Sequence, residues 1–297
     1  MNNIIPACTA CQVDSVCDDA NLLLPTFVAE CGMMESGNIR PEQVQVLVME
    51  KNRIKILGIP IDDITEQEAL ERADAMINDG AWHQICTVNP EFIMEAQRNP
   101  SFRAVLQAAD LNTPDGFGVL LAARWLGTPL RGRVTGVELT LGLARLAAIR
   151  GYRIFLLGAA PGVAEAAAAA LVKRWPTLCI AGCYSGSPAP EYDEQQRQII
   201  TLARPHILLV AYGHPRQELW IARNQPFLRI PLAIGVGGTF DYLAGKVPRA
   251  PRFIRRIGLE WAFRLAMQPI RWRRIIDAVP AFLFTVLWQE GILRHRG

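Results

Sequence analysis

The chain has 297 residues and a formal net charge of +3, and 51% of its residues are hydrophobic. This composition can fill the core of one large domain or two small ones, and so mild a charge argues against a nucleic-acid partner. No run reaches the roughly 18 apolar residues of a membrane-spanning helix; the longest candidate, Ile275 to Trp288, contains Asp277 and Pro280, so it can lie on a membrane but is not expected to cross one.

Residues 1–50 differ from the rest of the chain. They lack clear periodicity and hold four of the seven cysteines, which are Cys8, Cys11, Cys17 and Cys31. We predict a poorly ordered tail; a zinc site is the alternative, but the cysteine spacing is irregular and no histidine is near. A further alternative is that translation starts at Met49, directly before the first strand. Since the cysteine count is odd and no secretory signal precedes the cysteines, the sequence favours a reducing cytoplasm.

From Arg53 onward, short apolar runs alternate with amphipathic stretches. The predicted strands, in chain order, are Arg53–Ile59, His83–Val88, Ala109–Asn112, Tyr152–Leu157, Leu178–Cys183, His206–Tyr212 and Leu228–Ile234. The predicted helices run from Thr65 to Asn78, from Asn89, from near Asp115, and over Glu138–Ile149, Val163–Trp175, Glu191–Ala203 and Pro215–Asn224. This alternation predicts an α/β fold with a doubly wound, mostly parallel, Rossmann-like sheet.

The last part of the chain, residues 251–297, shows only helical periodicity. It predicts a helical appendage, broken near Pro269, that follows a catalytic domain of residues 51–250. Between Arg249 and Arg274 there are eight arginines and one acidic residue. This segment is therefore expected to attract anions.

Polar residues follow the predicted strands, at the edge where parallel sheets bind their ligands. Thr87 lies at the end of the second strand, Asn89 directly follows it, and Asp115 follows the third. A carboxylate at that position can accept the proton of an attacking hydroxyl, although an Asp there is equally typical of a helix N-cap. Arg133 and Gln217, in later loops, are candidates for binding a phosphate or a sugar, and a solvated surface role is the alternative for each.

Glycine-rich turns lead into several of the predicted helices. In the turn formed by Gly235, Gly237 and Gly238, Asp241 follows within reach of a ribose hydroxyl. Free backbone N–H groups at such a turn suit a diphosphate. The turn Gly158–Gly162 is weaker evidence for a diphosphate site when it is taken alone. Neither turn fits a Walker or dinucleotide fingerprint, so no cofactor is expected.

No metal is expected at the site either. The sequence lacks the Asp-x-Asp triplet that holds a divalent metal on a nucleotide-sugar, and Asp62-Asp63 is interpreted as a turn. The charge of a nucleotide leaving group would then be balanced by arginines and by helix N-termini.

Taken together, these segments resemble the WecG/TagA/CpsF family of glycosyltransferases over the chain from about Arg53 to Glu290. The resemblance is specific because the segments occur in the right order. They are Thr113–Val119, Arg133–Gly136, Leu157–Glu165, His214–Trp220, Gly235–Gly245, Arg249–Pro251 and Gly258–Leu265. Glu138 departs from the family, which more often has Asp there; it is either a helix-start acid or a residue that tunes the choice of sugar.

The resemblance implies metal-independent, inverting transfer from a UDP-sugar donor to a polyprenyl-diphosphate-linked sugar at the inner face of the cytoplasmic membrane. Such transfer belongs to the synthesis of bacterial surface polysaccharides. The typical sugar is N-acetylmannosamine or its uronic acid, placed on lipid-linked N-acetylglucosamine, and other members transfer other sugars, including glucose. A homo-oligomer is left open.

By matching position, the resemblance also implies roles for individual residues. Asp115 would be the catalytic base, with Thr87 and Asn89 beside it. Gln217 would bind the substrate, and Asp241 would hold the uridine ribose. The appendage would supply three arginines, which are Arg264, Arg271 and Arg274.

The composition of the appendage fits a membrane surface. At about 100° per residue, its three arginines fall on one side of a continuous helix. Aromatic residues surround them, namely Trp261, Phe263, Trp272, Phe282, Phe284 and Trp288. Cationic and aromatic residues together are typical of an interfacial helix; the alternative is that the aromatic side chains pack on the domain.

Two other functions are left open by the sequence. A nucleotide-sugar epimerase or dehydrogenase would need a proper dinucleotide fingerprint, which Gly158–Gly162 does not provide. A non-catalytic, membrane-associated scaffold would explain the basic and aromatic C-terminal segment. It would not explain the polar residues at the strand ends.

Overall fold

The computed structural model describes residues 52–248, 250–251, 254, 263 and 280–291. Its strands, in chain order, are β1 (Arg53–Ile56), β2 (Ile59–Asp62), β3 (His83–Val88), β4 (Leu111–Pro114), β5 (Arg153–Gly158), β6 (Cys179–Tyr184), β7 (Ile207–Ala211) and β8 (Leu232–Gly235). Among the described residues, six strands form one sheet in the order β4-β3-β8-β7-β5-β6. All of its neighbouring strands are parallel.

Helices connect these strands and cover both faces of the sheet. In chain order they are α1 (Glu66–Asn78), α2 (Pro90–Arg98), α3 (Pro100–Ala108), α4 (Phe117–Trp125), α5 (Gly136–Arg150), α6 (Val163–Arg174), α7 (Asp193–Ala203), α8 (Arg216–Leu228), α9 (Thr239–Leu243) and α10 (Phe282–Val286). A 3₁₀ turn at Pro190–Tyr192 precedes α7, and a π turn at Leu287–Gly291 follows α10.

Strand β5 shows how the sheet is packed on both sides. Ile154 and Leu156 point into one buried cluster with α1, α5 and α6, while Phe155 and Leu157 point into another with α7 and α8. All four side chains are buried. A strand that is apolar on both faces is typical of a parallel sheet between two helical layers, and the predicted doubly wound α/β fold is confirmed.

The first predicted strand is wrong in one respect. Residues 53–59 do not form one strand of the main sheet but belong to an antiparallel hairpin of β1 and β2. The turn residues Leu57 and Gly58 both have positive φ, of 50° and 78°, as a type I′ turn requires. A leucine is rare at that conformation, which is why the residue pattern did not mark the turn.

The interpretation of Asp62-Asp63 as a turn is also wrong for Asp62. This residue ends β2, and its carboxylate is buried. It accepts hydrogen bonds from Arg53 Nε at 2.8 Å and from the Asn112 backbone N–H at 2.7 Å, and Arg72 lies at 3.4 Å. One carboxylate therefore ties the hairpin to the outer edge of β4.

Helix α8 is longer than predicted, and the strand after it is shorter. The predicted strand Leu228–Ile234 begins only at Leu232, because α8 continues to Leu228. The Gln225 side chain accepts from the Ile230 N–H and donates to the Ile230 carbonyl, which holds the turn after the helix. Polar groups at this turn are thus satisfied by a side chain rather than by strand pairing.

Only a part of the predicted appendage is described. In α10, Phe282 and Val286 are buried against the cluster formed by α2, α3 and α4, while Phe284 and Trp288 are exposed. None of the described helices is long and apolar enough to cross a membrane. The predictions for residues 1–50 and for Arg264, Arg271, Arg274, Trp261 and Trp272 fall outside the described residues.

Replacing Asp62 with alanine should destabilise the fold. The change leaves two arginines and a buried backbone N–H without their acceptor, so we expect the free energy of unfolding to fall by about 2–4 kcal/mol. Urea denaturation measures this loss. The control is Glu194→Ala, which removes an exposed partner of Arg197 and should cost less than about 0.5 kcal/mol. Equal losses for the two variants would contradict the role given to Asp62.

Candidate functional site

The carboxyl ends of the parallel strands form the candidate site. Strands β5 and β7 are neighbours, but the chain leaves β5 towards β6 at one edge and leaves β7 towards β8 on the other side. A crevice is expected where neighbouring connections diverge in this way. Gly158 ends β5 with φ 104°, and a Cβ there would lie 2.8 Å from the Ala211 backbone carbon. Only glycine allows the two strand ends to approach so closely.

Asp115 lies in the loop after β4 and is partly buried. Its backbone N–H donates to the Val88 carbonyl at 2.8 Å, which continues the pairing of β3 with β4. Its carboxylate Oδ2 faces the Gly136 N–H at 3.5 Å, at the first turn of α5. The alternative that Asp115 is the N-cap of the next helix is wrong, because Gly116 is the N-cap of α4 and Thr135 that of α5.

Two threonine side chains lie beside the start of α5. A Cβ placed on Gly136 would lie 3.5 Å from Thr87 Oγ1 and 3.7 Å from Thr239 Oγ1. Both hydroxyls are therefore close to the N–H that faces Asp115. Thr239 is a residue that the sequence interpretation missed, although it lies within the Gly235–Gly245 segment; it donates to the Val236 carbonyl at 2.6 Å.

Asn89 has a structural task in the described geometry. Its Oδ1 accepts from the Phe92 N–H at 3.0 Å and caps α2. The residue still lies next to the Asp115 loop, because a Cβ on Gly116 would lie 3.9 Å from Asn89 Cβ. Its predicted catalytic role stays a prediction.

The segment that leads into α5 also borders the site. The Val134 N–H donates to the Pro114 carbonyl at 2.8 Å, which places the partly buried Arg133 in the segment beside the end of β4. Glu138 lies in the first turn of α5, where its carboxylate accepts from the Thr135 hydroxyl at 3.0 Å. The helix-start role proposed for Glu138 is thereby confirmed.

Gln217 joins the loops that follow β7 and β8. Its Oε1 accepts from the Gly213 N–H at 3.1 Å and from the Gly237 N–H at 3.0 Å. Its Nε2 donates to Glu218 Oε1 at 2.6 Å. The side chain is buried, and in this geometry its carbonyl oxygen and the Gly237 N–H are already paired with each other.

Glu218 is a second residue that the sequence interpretation missed. It is fully buried beneath the loop after β8, and burial raises the pKa of its carboxyl from 4.5 to about 7, partly offset by the hydrogen bond from Gln217. The neighbouring Cys86 thiol on β3 has its pKa raised by burial and then by the Glu218 charge. The sequence neighbours of Glu218 give no sign of its burial, because residues one and two positions apart on a helix do not share a face.

Asp241 and His214 also lie in the segments that follow the parallel strands. Asp241 lies in the first turn of α9, and its Oδ2 would be 3.9 Å from a Cβ on Gly238. His214 follows β7 and pairs with Glu91 at 3.2 Å. The structure therefore brings a set of predicted site residues to the carboxyl end of the sheet: Thr87, Asp115, Gln217, Gly237, Gly238 and Asp241. Among the described residues, no group of three or more His, Cys, Asp or Glu side chains could hold a metal ion.

Comparison with known proteins gives consistent matches. The model of the "Glycosyl transferase WecG/TagA/CpsF family" matches residues 54–296. A Bacillus spizizenii protein is 37% identical over 216 residues, which are 72% of this chain and 81% of that protein. A Staphylococcus aureus protein is 31% identical over 238 residues, which are 79% of this chain and 92% of that protein. Both are named N-acetylglucosaminyldiphosphoundecaprenol N-acetyl-beta-D-mannosaminyltransferase.

The raised pKa of Glu218 predicts a pH-dependent stability. A carboxyl that is harder to ionise in the folded protein stabilises the fold at low pH, and this contribution is lost as the pH rises to about 7. The wild type should therefore lose on the order of 3 kcal/mol of unfolding free energy relative to Glu218→Gln between about pH 4.5 and pH 8. Denaturant titrations of both proteins across this range measure the difference. Parallel stability curves would contradict the assignment.

Proposed function

This chain belongs to the WecG/TagA/CpsF family of glycosyltransferases, and we propose that it transfers an N-acetylmannosamine-type sugar from UDP to a lipid-diphosphate-linked N-acetylglucosamine. The donor is inferred from the chemistry, since the relatives' names give the sugar and the acceptor. The observation that carries the proposal is the position of Asp115. It is a partly buried carboxylate at a strand end that faces the first N–H of α5, and the hydroxyls of Thr87 and Thr239 also lie beside that helix start.

The proposed reaction is a single displacement. The acceptor hydroxyl gives its proton to the Asp115 carboxylate as its oxygen attacks the anomeric carbon of the donor. The bond from that carbon to the diphosphate oxygen breaks, UDP leaves with the electron pair, and the configuration inverts. The Gly136 N–H and the positive end of the α5 dipole stabilise the negative charge of Asp115 before the proton arrives.

The leaving group needs positive charge on the other side of the sugar. The turn that ends at Gly238 precedes α9, and Asp241 lies next to it. We propose that Gly238 contacts the diphosphate and that Asp241 accepts a hydrogen bond from the ribose. Arg133 and the appendage residues Arg264, Arg271 and Arg274 are proposed to balance the remaining phosphate charge, as P–O⁻ groups favour guanidinium partners.

A membrane surface is the proposed location of the reaction. Phe284 and Trp288 are 67% and 62% exposed, and their rings stack with centroids 6.1 Å apart. Helix α10 packs against α4, whose first residue Phe117 is also exposed. Since α4 begins two residues after Asp115, a lipid surface bound by these aromatic side chains would present a lipid-linked acceptor near the base.

A donor screen tests the proposed function. UDP-sugars are offered with a short-chain lipid-diphosphate N-acetylglucosamine, and products are identified by mass spectrometry. We expect transfer from UDP-N-acetylmannosamine or a related donor. Asp115→Asn should lower turnover by at least about a hundredfold, because the proton has no acceptor. Its UDP affinity, measured by calorimetry, should stay within about threefold of the wild type.

Two results would refute the assignment. Normal turnover by Asp115→Asn would remove that residue as the base. Failure of the wild type to bind UDP, or to act on any UDP-sugar, would overturn the proposed function itself.

The aromatic surface of α10 predicts vesicle binding. Replacing Phe284 and Trp288 together with serine should reduce co-sedimentation with anionic phospholipid vesicles roughly tenfold, because the apolar contact with the lipid is lost. The matched control is Phe227→Ser, which removes an aromatic side chain of similar exposure, 69%, on α8. If the control and the double variant bind vesicles equally well, membrane docking through α10 is wrong.

A further inference from the structure

A buried pair of side chains connects the two glycine loops of the site. Gln217 and Glu218 are adjacent in sequence at the start of α8, and both are buried. Gln217 Oε1 receives the N–H groups of Gly213 and Gly237, which follow β7 and β8. Two loops that are more than twenty residues apart in sequence are therefore held by one amide oxygen.

Glu218 determines which way that amide points. The two glycine N–H groups can only donate, so the oxygen of the Gln217 amide must face them. Its Nε2 must then find an acceptor on the opposite side, and Glu218 Oε1 is that acceptor at 2.6 Å. Without it, a buried amide N–H would be left unpaired, which favours rotation of the amide away from the loops.

The surroundings are shaped to accommodate this pair. A Cβ on Gly235, the last residue of β8, would lie 2.5 Å from Gln217 Nε2 and would collide with Glu218 Oε1. Gln84 Nε2 donates to the Glu218 backbone carbonyl at 3.3 Å and holds the start of α8 against β3. Glu218 Oε2 is buried without a hydrogen-bond partner among the described residues. An unpaired buried oxygen is costly, so packing alone does not explain an acid at this position.

We propose that Glu218 is a positioning residue for the donor: it orients Gln217, and Gln217 holds the loop of Gly237 in the form that binds the nucleotide. This inference rests on the proposed function, since it takes the loop with Gly238 and Asp241 as the nucleotide cradle. Glu218 itself, fully buried, acts through Gln217 rather than on the substrate.

The test compares two replacements of Glu218. Glu218→Leu fills the space but removes the acceptor, whereas Glu218→Gln keeps an oxygen that can accept from Gln217. We expect Glu218→Leu to weaken UDP binding roughly tenfold and to raise the donor KM by a similar factor, with kcat within about threefold. Glu218→Gln should bind UDP within about threefold of the wild type.

A second variant leaves both side chains intact. Gly235→Ala places a methyl group where the pair lies and should weaken UDP binding in the same direction. If Glu218→Leu does not fold, the UDP affinity of Gly235→Ala tests the positioning role in its place. The matched control is Gln225→Leu, which also removes buried hydrogen bonds from α8, but at the turn with Ile230. That variant should lose stability and keep the wild-type affinity for UDP.

Amide hydrogen exchange gives a readout that needs no ligand. Peptides containing Gly213 and Gly237 should exchange faster in Glu218→Leu than in the wild type or in Glu218→Gln. In Gln225→Leu, the exchange rate of these peptides should equal that of the wild type. Wild-type UDP affinity and exchange in Glu218→Leu would overturn the positioning role while leaving the proposed function intact. If the wild type binds no UDP, the proposed function fails, and the exchange result alone then shows whether Glu218 holds the loops.

Discussion

Parallel pairing of the central strands is the constraint on which the site depends. Because β3 lies between β4 and β8, the residues after these strands meet at one edge of the sheet. Thr87, Asp115 and Thr239 come from three separate parts of the sequence. Even so, both threonine hydroxyls lie beside Gly136. The N–H of that glycine faces the Asp115 carboxylate. The helices that leave this edge begin there, so their unpaired N–H groups and positive dipole ends point to the same place.

This arrangement has an electrostatic consequence for the proposed transfer reaction. The N-terminus of α5 faces the carboxylate of Asp115, the proposed base. In the proposed reaction, the same end of the sheet would also have to stabilise the charge of the departing diphosphate. Two helix starts would serve the two proposed anions: α5 begins beside Asp115, and the turn before α9 is the proposed contact for the leaving group. The two helix starts lie close together, since a Cβ on Gly136 would be 3.7 Å from Thr239 Oγ1 at the start of α9. Their positive ends would therefore offset the repulsion between two negative charges at this end of the sheet.

The sequence predicted the features that follow from local pattern. Apolar runs located the strands of the main sheet, and the polar residues at the ends of these strands indicated the candidate site. It failed to predict features that depend on contacts between residues far apart in the sequence. Leu57 takes a positive φ because the pairing of β1 with β2 closes a two-residue turn at Leu57 and Gly58. Asp62 is buried where Arg53 and Asn112 donate to its carboxylate. Neither contact is visible in a window of neighbouring residues. The burial of Glu218 depends in the same way on Gly235 and Gln84.

Gln217 lies at the candidate site, but its amide oxygen is already paired within the protein. Sequence position places it in the loop that follows β7, where a substrate contact is the natural expectation. The geometry gives its oxygen to two backbone N–H groups and its nitrogen to a buried acid. A substrate could then contact only the second hydrogen on Gln217 Nε2. Replacing Gln217 would therefore disturb both the loops and any contact between its amide and a substrate. Glu218 separates these effects, because it orients the amide from a position that no substrate reaches.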